Sequence, residues 1–214
     1  DGGAPSARLR RADLTVTEHT GGSESVLGQP RLLPAGAALM TQTLLLVDVT
    51  DYVSDAQTRA ELQKRVWQLA RRLLAHQAVA VAAFDGKPGI RVLQSFTTDA
   101  SLLKQATQRL AKLSVRDSSR NLYGAISQAL GEIELYGART GPRFELSTLM
   151  VVTTGPDTAG KTTRAAFQKR VWSHRSQGTL LFGIGLGPRG GGDFLKRIGI
   201  TGHRHFEELY QLNA

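Results

Sequence analysis

The stretch Thr43-Leu-Leu-Leu-Val-Asp48 constrains the fold of this chain more than any other part of it. Its apolar residues run without alternation, so neither face of the strand can meet water. Such a strand belongs inside a mainly parallel sheet covered above and below by helices. It also ends in a carboxylate, at the end of a strand where open sheets of this kind bind ligands.

The elements on either side agree with that architecture. Leu62, Val66, Leu69, Ala70, Leu73 and Leu74 recur at helical spacing, with Arg65, Arg71 and Arg72 on the other face and Ser54 and Gln57 able to cap the start. Ala78 to Phe84 and Ile90 to Phe96 read as antiparallel strands around the turn Asp85-Gly86-Lys87-Pro88-Gly89. Helices are predicted from Ser101 to Leu113 and from Leu122 to Tyr136, where Leu122, Ala125, Ile126, Ala129, Leu130 and Ile133 form one stripe. A buried strand over Leu146 to Thr154 follows, then a helix over Thr163 to Ser176 with Phe167 and Val171 inward. A strand over Thr179 to Leu186, interrupted by Gly183 and Gly185, comes next, and Asp193 to Ile198 and Phe206 to Leu212 complete the alternation. The expected class is α/β: a doubly wound, mostly parallel open sheet with one antiparallel edge strand and helices on both faces.

Ahead of the sheet, Leu14 to His19 and Val26 to Leu33 flank a glycine-containing turn, and Pro30 and Pro34 confine the second arm to an edge. The expected organisation is a flexible segment over 1–12, a hairpin extension over 13–42 and the α/β domain over 43–214.

Composition narrows the chemistry. The absence of cysteine excludes disulfides, thiol catalysis and Cys-ligated zinc. Lys and Arg outnumber Asp and Glu by 27 to 18, a formal net charge of +9, which draws anionic surfaces nonspecifically. The basic residues form no block, so nucleic acid is not the expected partner. No apolar run approaches the roughly 18 residues of a membrane span.

At the strand ends the sequence resembles the von Willebrand factor type A family. The similarity lies in Leu44-Leu-Leu-Val-Asp48-Val-Thr50-Asp-Tyr52, Asn121-Leu-Tyr-Gly-Ala-Ile126, Leu149-Met-Val-Val-Thr-Thr-Gly155 and Leu180-Leu-Phe-Gly-Ile-Gly-Leu-Gly187. The resemblance implies a metal-ion-dependent adhesion site built from Asp-x-Ser-x-Ser, a Thr from a second loop and an Asp from a third. Here Asp48 and Thr50 keep the pattern and are the candidate ligands, while Tyr52 replaces the second Ser, Arg120 the Thr and Thr154 the second Asp. A cation such as Mg²⁺ wants oxygen ligands with carboxylate charge, so none is expected there unless Ser118, Ser119 or Asp157 shifts into register. The hairpin is similar to the lead-in of bacterial members that are often exported or lipid-anchored, which implies a periplasmic or cell-surface location.

Without a metal, the Asp48 carboxylate still needs neutralising, because an unpaired buried charge is strongly unfavourable. Arg120 is one source, pairing bidentately as a built-in cation. The other reading has Arg120 in solvent and Asp48 capping the next helix.

A competing motif, Gly155-Pro-Asp-Thr-Ala-Gly160-Lys161-Thr162, spells the phosphate-cradling pattern G-x-x-x-x-G-K-[ST]. The strand ending in Asp that a nucleotide hydrolase needs is missing after it. His203 and His205 share a strand face and are expected in solvent around an inward Phe206. Trp67 and Trp172 are expected as partly buried packing residues, and Arg164, Lys169, Arg170 and Arg175 as one basic helix face. No nucleophile, His and acid set is legible, so no catalysis is expected.

The expected function is a non-catalytic protein-interaction or adhesion module. Its partner is another protein, engaged through an acidic group at the loops of Asp48, Thr50, Tyr52, Ser118, Ser119, Arg120 and Thr154. The alternatives are a nucleotide-binding protein using Gly155, Gly160, Lys161 and Thr162, and an architectural domain of a larger assembly. Oligomeric state is open.

Overall fold

The order of elements follows from where apolar residues recur and where polar ones interrupt them. The computed structural model describes residues 15, 17–20, 23–26, 39–51, 56–140, 144–187, 193–197 and 201–206. Strands β1 (Thr17–Thr20) and β2 (Ser23–Val26) form an antiparallel pair with Thr20 opposite Ser23. The predicted second arm beyond Val26 lies outside the described residues, as do Tyr52, Ser54 and residues 207–212.

The chain divides into two units, Asp1–Ala38 and Leu39–Ala214. In the second, β3 (Leu39–Asp48), α1 (Ala56–Leu74), β4 (Ala78–Phe84), β5 (Arg91–Thr97), α2 (Ala100–Leu110) and α3 (Leu122–Thr140) come first. They are followed by β6 (Phe144–Thr153), α4 (Arg164–Ser176), β7 (Leu180–Leu186), α5 (Asp193–Arg197) and β8 (Gly202–Phe206). The six-stranded sheet runs β5-β4-β3-β6-β7-β8 and is parallel throughout except for the antiparallel pair β4/β5 at one edge.

Successive residues of β3 serve opposite cores. Leu44 and Leu46 pack with Ala80, Ala82, Leu149 and Val151 beneath α3 and α4. Leu45 and Val47 pack with Val79, Val81 and Ala83 beneath α1 and α2. Each of the fully buried Leu and Val side chains contributes about 1.5–3 kcal/mol over an exposed one. The helices turn the stripes read from the sequence inward: Leu62, Val66 and Ala70 of α1, and Leu122, Ile126, Ala129, Leu130 and Ile133 of α3.

Several boundaries differ from the sequence reading for local reasons. β3 begins at Leu39 rather than Thr43, so residues 39–42 belong to the sheet unit. Polar Gln42 is accommodated there because its Nε2 donates to Ser147 Oγ of β6 at 2.8 Å. α2 stops at Leu110, short of Leu113, where Lys112 N and Leu113 N tighten onto the carbonyls of Arg109 (3.0 Å) and Leu110 (3.2 Å). Asp99 caps the start of α2, accepting from Ser101 N at 2.7 Å.

α3 runs on to Thr140 and β6 starts at Phe144, while β7 passes through Gly183 and Gly185 unbroken. Trp172 is 65% exposed rather than partly buried. The inward stripe of α4 is Phe167, Val171 and His174, and Trp172 lies off it with the Arg175 guanidinium 5.1 Å from its ring centroid.

Candidate functional site

β3 connects through α1 to β4 on one side, whereas β6 enters on the other, so the order of strands reverses between β3 and β6. The carboxyl ends of these two strands therefore border a crevice into which no crossover helix intrudes. Asp48 closes β3 there, Thr153 closes β6 and Thr154 follows it.

The Asp48 side chain is fully buried and both its oxygens are saturated. Oδ1 accepts from Thr50 N at 2.9 Å and Thr50 Oγ1 at 2.6 Å, a turn that the short side chain makes with its own downstream backbone. Oδ2 accepts from Arg120 Nε, from Thr153 Oγ1 at 3.0 Å, and from Thr154 N and Oγ1 at 3.2 and 3.1 Å.

Arg120 is 5% exposed. Its fork is divided rather than bidentate on Asp48, because Thr50 already occupies Oδ1. Nη2 donates instead to Asp51 Oδ2 at 2.7 Å and Thr154 Oγ1 at 2.5 Å, and Nη1 to Pro156 O at 3.4 Å. The backbone is clamped as firmly: Arg120 N donates to Thr158 Oγ1 at 2.8 Å, and Thr158 N and Ala159 N donate back to Arg120 O at 2.9 and 3.0 Å.

A second buried acid stands beside the first. Asp85 directly follows β4, whose last residue Phe84 pairs with Asp48, and its side chain is fully buried. It accepts from Arg116 N, Nε and Nη2 at 3.0, 3.1 and 3.2 Å, from Arg91 Nη2 at 3.3 Å and from Lys87 N at 2.9 Å. Burial pushes its carboxyl up, but these hydrogen bonds and the Arg116 charge outweigh that and hold it below the ordinary carboxylate range. Asp117 is held down to about 2 by hydrogen bonds from Ser119 and then Lys161.

The predicted residues are placed unequally. Asp48, Thr50, Arg120 and Thr154 converge. Ser118 is exposed, and Ser119 turns to Asp117 Oδ1, to which its N and Oγ donate at 2.9 and 2.7 Å. Asp157 accepts from Tyr123 N at 3.1 Å and Gly160 N at 3.0 Å, so neither Ser119 nor Asp157 enters the Asp48 cluster. Tyr52 lies outside the described residues. Asp51, Thr153 and the Asp85–Arg116 pair were missed; the one available signal was that β4, like β3, is an apolar strand running straight into Asp.

A hard divalent cation in the arrangement the resemblance implies does not fit this donor set. The Arg120 guanidinium already lies against both carboxylates, and like charges at that range repel. The third loop offers Thr154 in place of a carboxylate, short of the charge such a cation needs. Among the described residues no three His, Asp or Glu converge as metal ligands elsewhere; His203 is exposed, and His205 Nε2 is 2.8 Å from Gly187 O.

The segment from Gly155 to Thr162 does not form a phosphate cradle. Thr158 N and Ala159 N are spent on Arg120 O, and Gly160 N on Asp157. Lys161 Nζ donates to Gly86 O at 2.5 Å and Asp117 Oδ2 at 3.2 Å. Gly160, at φ +61, supplies the turn, and Thr163 rather than Thr162 caps α4, accepting from Ala166 N at 3.3 Å.

No family model matches the sequence, and no curated protein does. Solved structures do. Proximal thread matrix protein 1 from the mussel byssus aligns over 82% of this chain and 46% of its own, with a TM-score of 0.64 at 13% identity. This chain thus spans about half the length of that protein, one of whose structures has a zinc-occupied MIDAS motif. The vWF domain of the type V pili tip protein Mfa5 from Porphyromonas gingivalis aligns over 82% of this chain and 93% of its own, with a TM-score of 0.59 at 8% identity. The von Willebrand factor type A structure from Catenulispora acidiphila aligns over 81% and 40%, with a TM-score of 0.59 at 17% identity. At these identities the likeness is one of fold.

Proposed function

We propose that this chain, which has the von Willebrand factor type A fold, is a non-catalytic protein-interaction module whose adhesion-type site is sealed by an arginine instead of a divalent cation. The observation that carries the reading is the Arg120 guanidinium, buried between Asp48 and Asp51 and bonded to Thr154. It supplies the positive charge that the buried carboxylate requires, and it does so permanently, since guanidinium does not lose its proton in proteins.

Such a site cannot recruit a partner by sharing a metal with the partner's carboxylate. The cations within reach of a partner are on the neighbouring loops: Arg116 and Lys161, with side chains 39% and 36% exposed, and exposed Lys87. An acidic group on the partner is the natural complement, favoured further by the +9 charge of the chain. Thread-matrix and pilus-tip proteins share the fold, which supports an adhesive role outside the cytoplasm.

Calorimetric titration with Mg²⁺, Mn²⁺ and Ca²⁺ tests the sealed site: no saturable heat is expected, and sub-millimolar binding of any of them would overturn the reading. A labelled ATP analogue is likewise expected not to bind at millimolar concentration. For the interaction, partners captured from the native source should be lost on Lys87→Glu with Lys161→Glu, which leave the Arg116–Asp85 pair intact. An architectural domain held through other surfaces would keep them.

A further inference from the structure

At the opposite end of the parallel strands, β6 and β7 begin beside the last turns of α3 and α4, and a cavity of about 300 Å³ opens there. Its polar lining includes Glu134, Glu145, Ser147, His174, Gln177 and Thr179. Ser147 pairs with Gln42, and the strand from there to Asp48 spans about 20 Å at the usual rise per residue. This cavity is therefore separate from the site described above.

Its groups are left wanting in a way packing does not explain. His174 is 1% exposed, yet its Nε2 has no hydrogen-bond partner. Glu134 Oε1 stands 3.8 Å from it, beyond bonding distance. Burial, reinforced by the Arg170 charge and opposed by Glu134, holds the imidazole below its ordinary pKa, so the ring is neutral at pH 7 and has a lone pair to offer.

Glu145 has no cation or donor among the described residues, and burial alone pushes its carboxyl up. Its carboxylate lies so close over α3 that a Cβ at Gly137 would come within 2.0 Å of it. Glu134 is different: its Oε2 is paired with Arg170 Nη2 at 2.7 Å. The carboxyl end of α4 adds partial negative charge to the same place. The cavity thus presents, among the described residues, a Glu145 carboxylate with no cation on it and an imidazole nitrogen with no hydrogen-bond partner, while the nearby Arg170 is paired with Glu134.

We propose that this cavity binds a primary ammonium group, its N–H donors directed to the Glu145 carboxylate and His174 Nε2. An ammonium is compact, carries three donors and supplies the one charge that Glu145 lacks. A metal ion is less suited, because Glu134 is already paired with Arg170, and among the described residues no group of three His, Asp or Glu is placed to hold one. The ammonium belongs either to a free alkylamine or to a lysine side chain of a partner, and the chemistry of recognition is the same.

The test is calorimetry on the full chain with n-butylammonium and with a short peptide bearing one free lysine. n-Butanol and the acetyl-lysine peptide serve as neutral controls. Saturable binding of one or both ammonium probes is expected at about 10 mM or below, within reach of a ligand this small, and none of the controls. Tighter binding of the peptide assigns a partner lysine; equal or tighter binding of butylammonium assigns a free amine.

Glu145→Gln and His174→Phe should each weaken binding about tenfold or more, the range for a charge-assisted hydrogen bond. Asp51→Asn, at the other site, should leave it unchanged. No saturable heat from the folded natural chain, or undiminished binding by Glu145→Gln, would overturn the proposal. A ring-carbon NMR signal of His174 that fails to move with butylammonium would also overturn it, and this last readout needs no variant to fold.

Discussion

Replacing Arg120 with Ala would strand the Asp48 carboxylate, whose side chain is fully buried, with hydroxyl and amide donors but no cation. Breaking a buried pair from one side costs about 3–5 kcal/mol, so Arg120→Ala is expected to lower stability by that much in urea denaturation. The double variant Asp48→Asn with Arg120→Met removes both charges and should recover much of the loss. Asp51, 43% exposed, holds the other arm of the same guanidinium. Solvent screening limits such a contact to under about 1 kcal/mol, so Asp51→Asn should be nearly silent. That Asp48 would lose water was legible in the sequence, but whether Arg120 met it or stood in solvent was left open there; the structure puts the guanidinium on the carboxylate. Of the hydroxyls on Asp48, those of Thr50 and Thr154 were named with it and that of Thr153 was not: Thr153 and Thr154 are adjacent in sequence, and only the path of the chain leaving β6 brings both onto Oδ2.

Of the four longer helices, α4 buries the fewest apolar side chains. Phe167 and Val171 are its buried apolar anchors, and the Phe167 ring stacks on Tyr123 of α3 with centroids 4.6 Å apart. Phe167→Ala is expected to cost about 3–5 kcal/mol. Its effect should show first as faster amide exchange in α4 rather than in α1 or α3, which bury longer stripes. The helices were legible because a stripe at helical spacing has one way to reach a core, and α1, α3 and α4 carry such stripes. Their ends were less so. β3 gained Leu39 to Gln42 because Ser147, on a strand more than a hundred residues away, offers Gln42 an acceptor. No local pattern contains that partner. The segment from Gly155 to Thr162 shows the same limit: its spelling suits a phosphate cradle, yet the Arg120 carbonyl takes two of its amides first.

For the whole molecule, the ionisable groups set a dependence of stability on pH with opposing parts. Asp85 and Asp117 titrate below their ordinary range in the folded chain. Their contribution is therefore complete above the unfolded carboxylate value, about 3.9, and is lost as pH falls through the folded values. His174 is also lowered, so the unfolded chain takes up a proton the folded one refuses, and stability begins to fall below about pH 6.5. Glu145 is raised and acts in reverse, favouring the folded state as pH drops toward its unfolded value. Urea denaturation from pH 8 to pH 5 should show a slope that His174→Phe flattens, with a steeper loss below pH 4 that Asp85→Asn reduces. Millimolar Mg²⁺ or Ca²⁺ should leave the melting temperature unchanged, whereas binding a hundredfold above its Kd would add about 2.7 kcal/mol.

The order and kind of the elements from β3 to β7, the two-sided burial of β3 and the acid at its end were written in the sequence. Periodicity, and the cost of burying unpaired charge, act locally and admit few solutions. What only the tertiary structure decided is which distant groups meet. It divides the Arg120 fork between Asp48 and Asp51, joins Asp85 to Arg116, turns Lys161 onto Gly86 and Asp117, and leaves His174 and Glu145 facing a cavity. Those meetings depend on where loops from separate strands converge in space, and spacing along the chain carries no record of that.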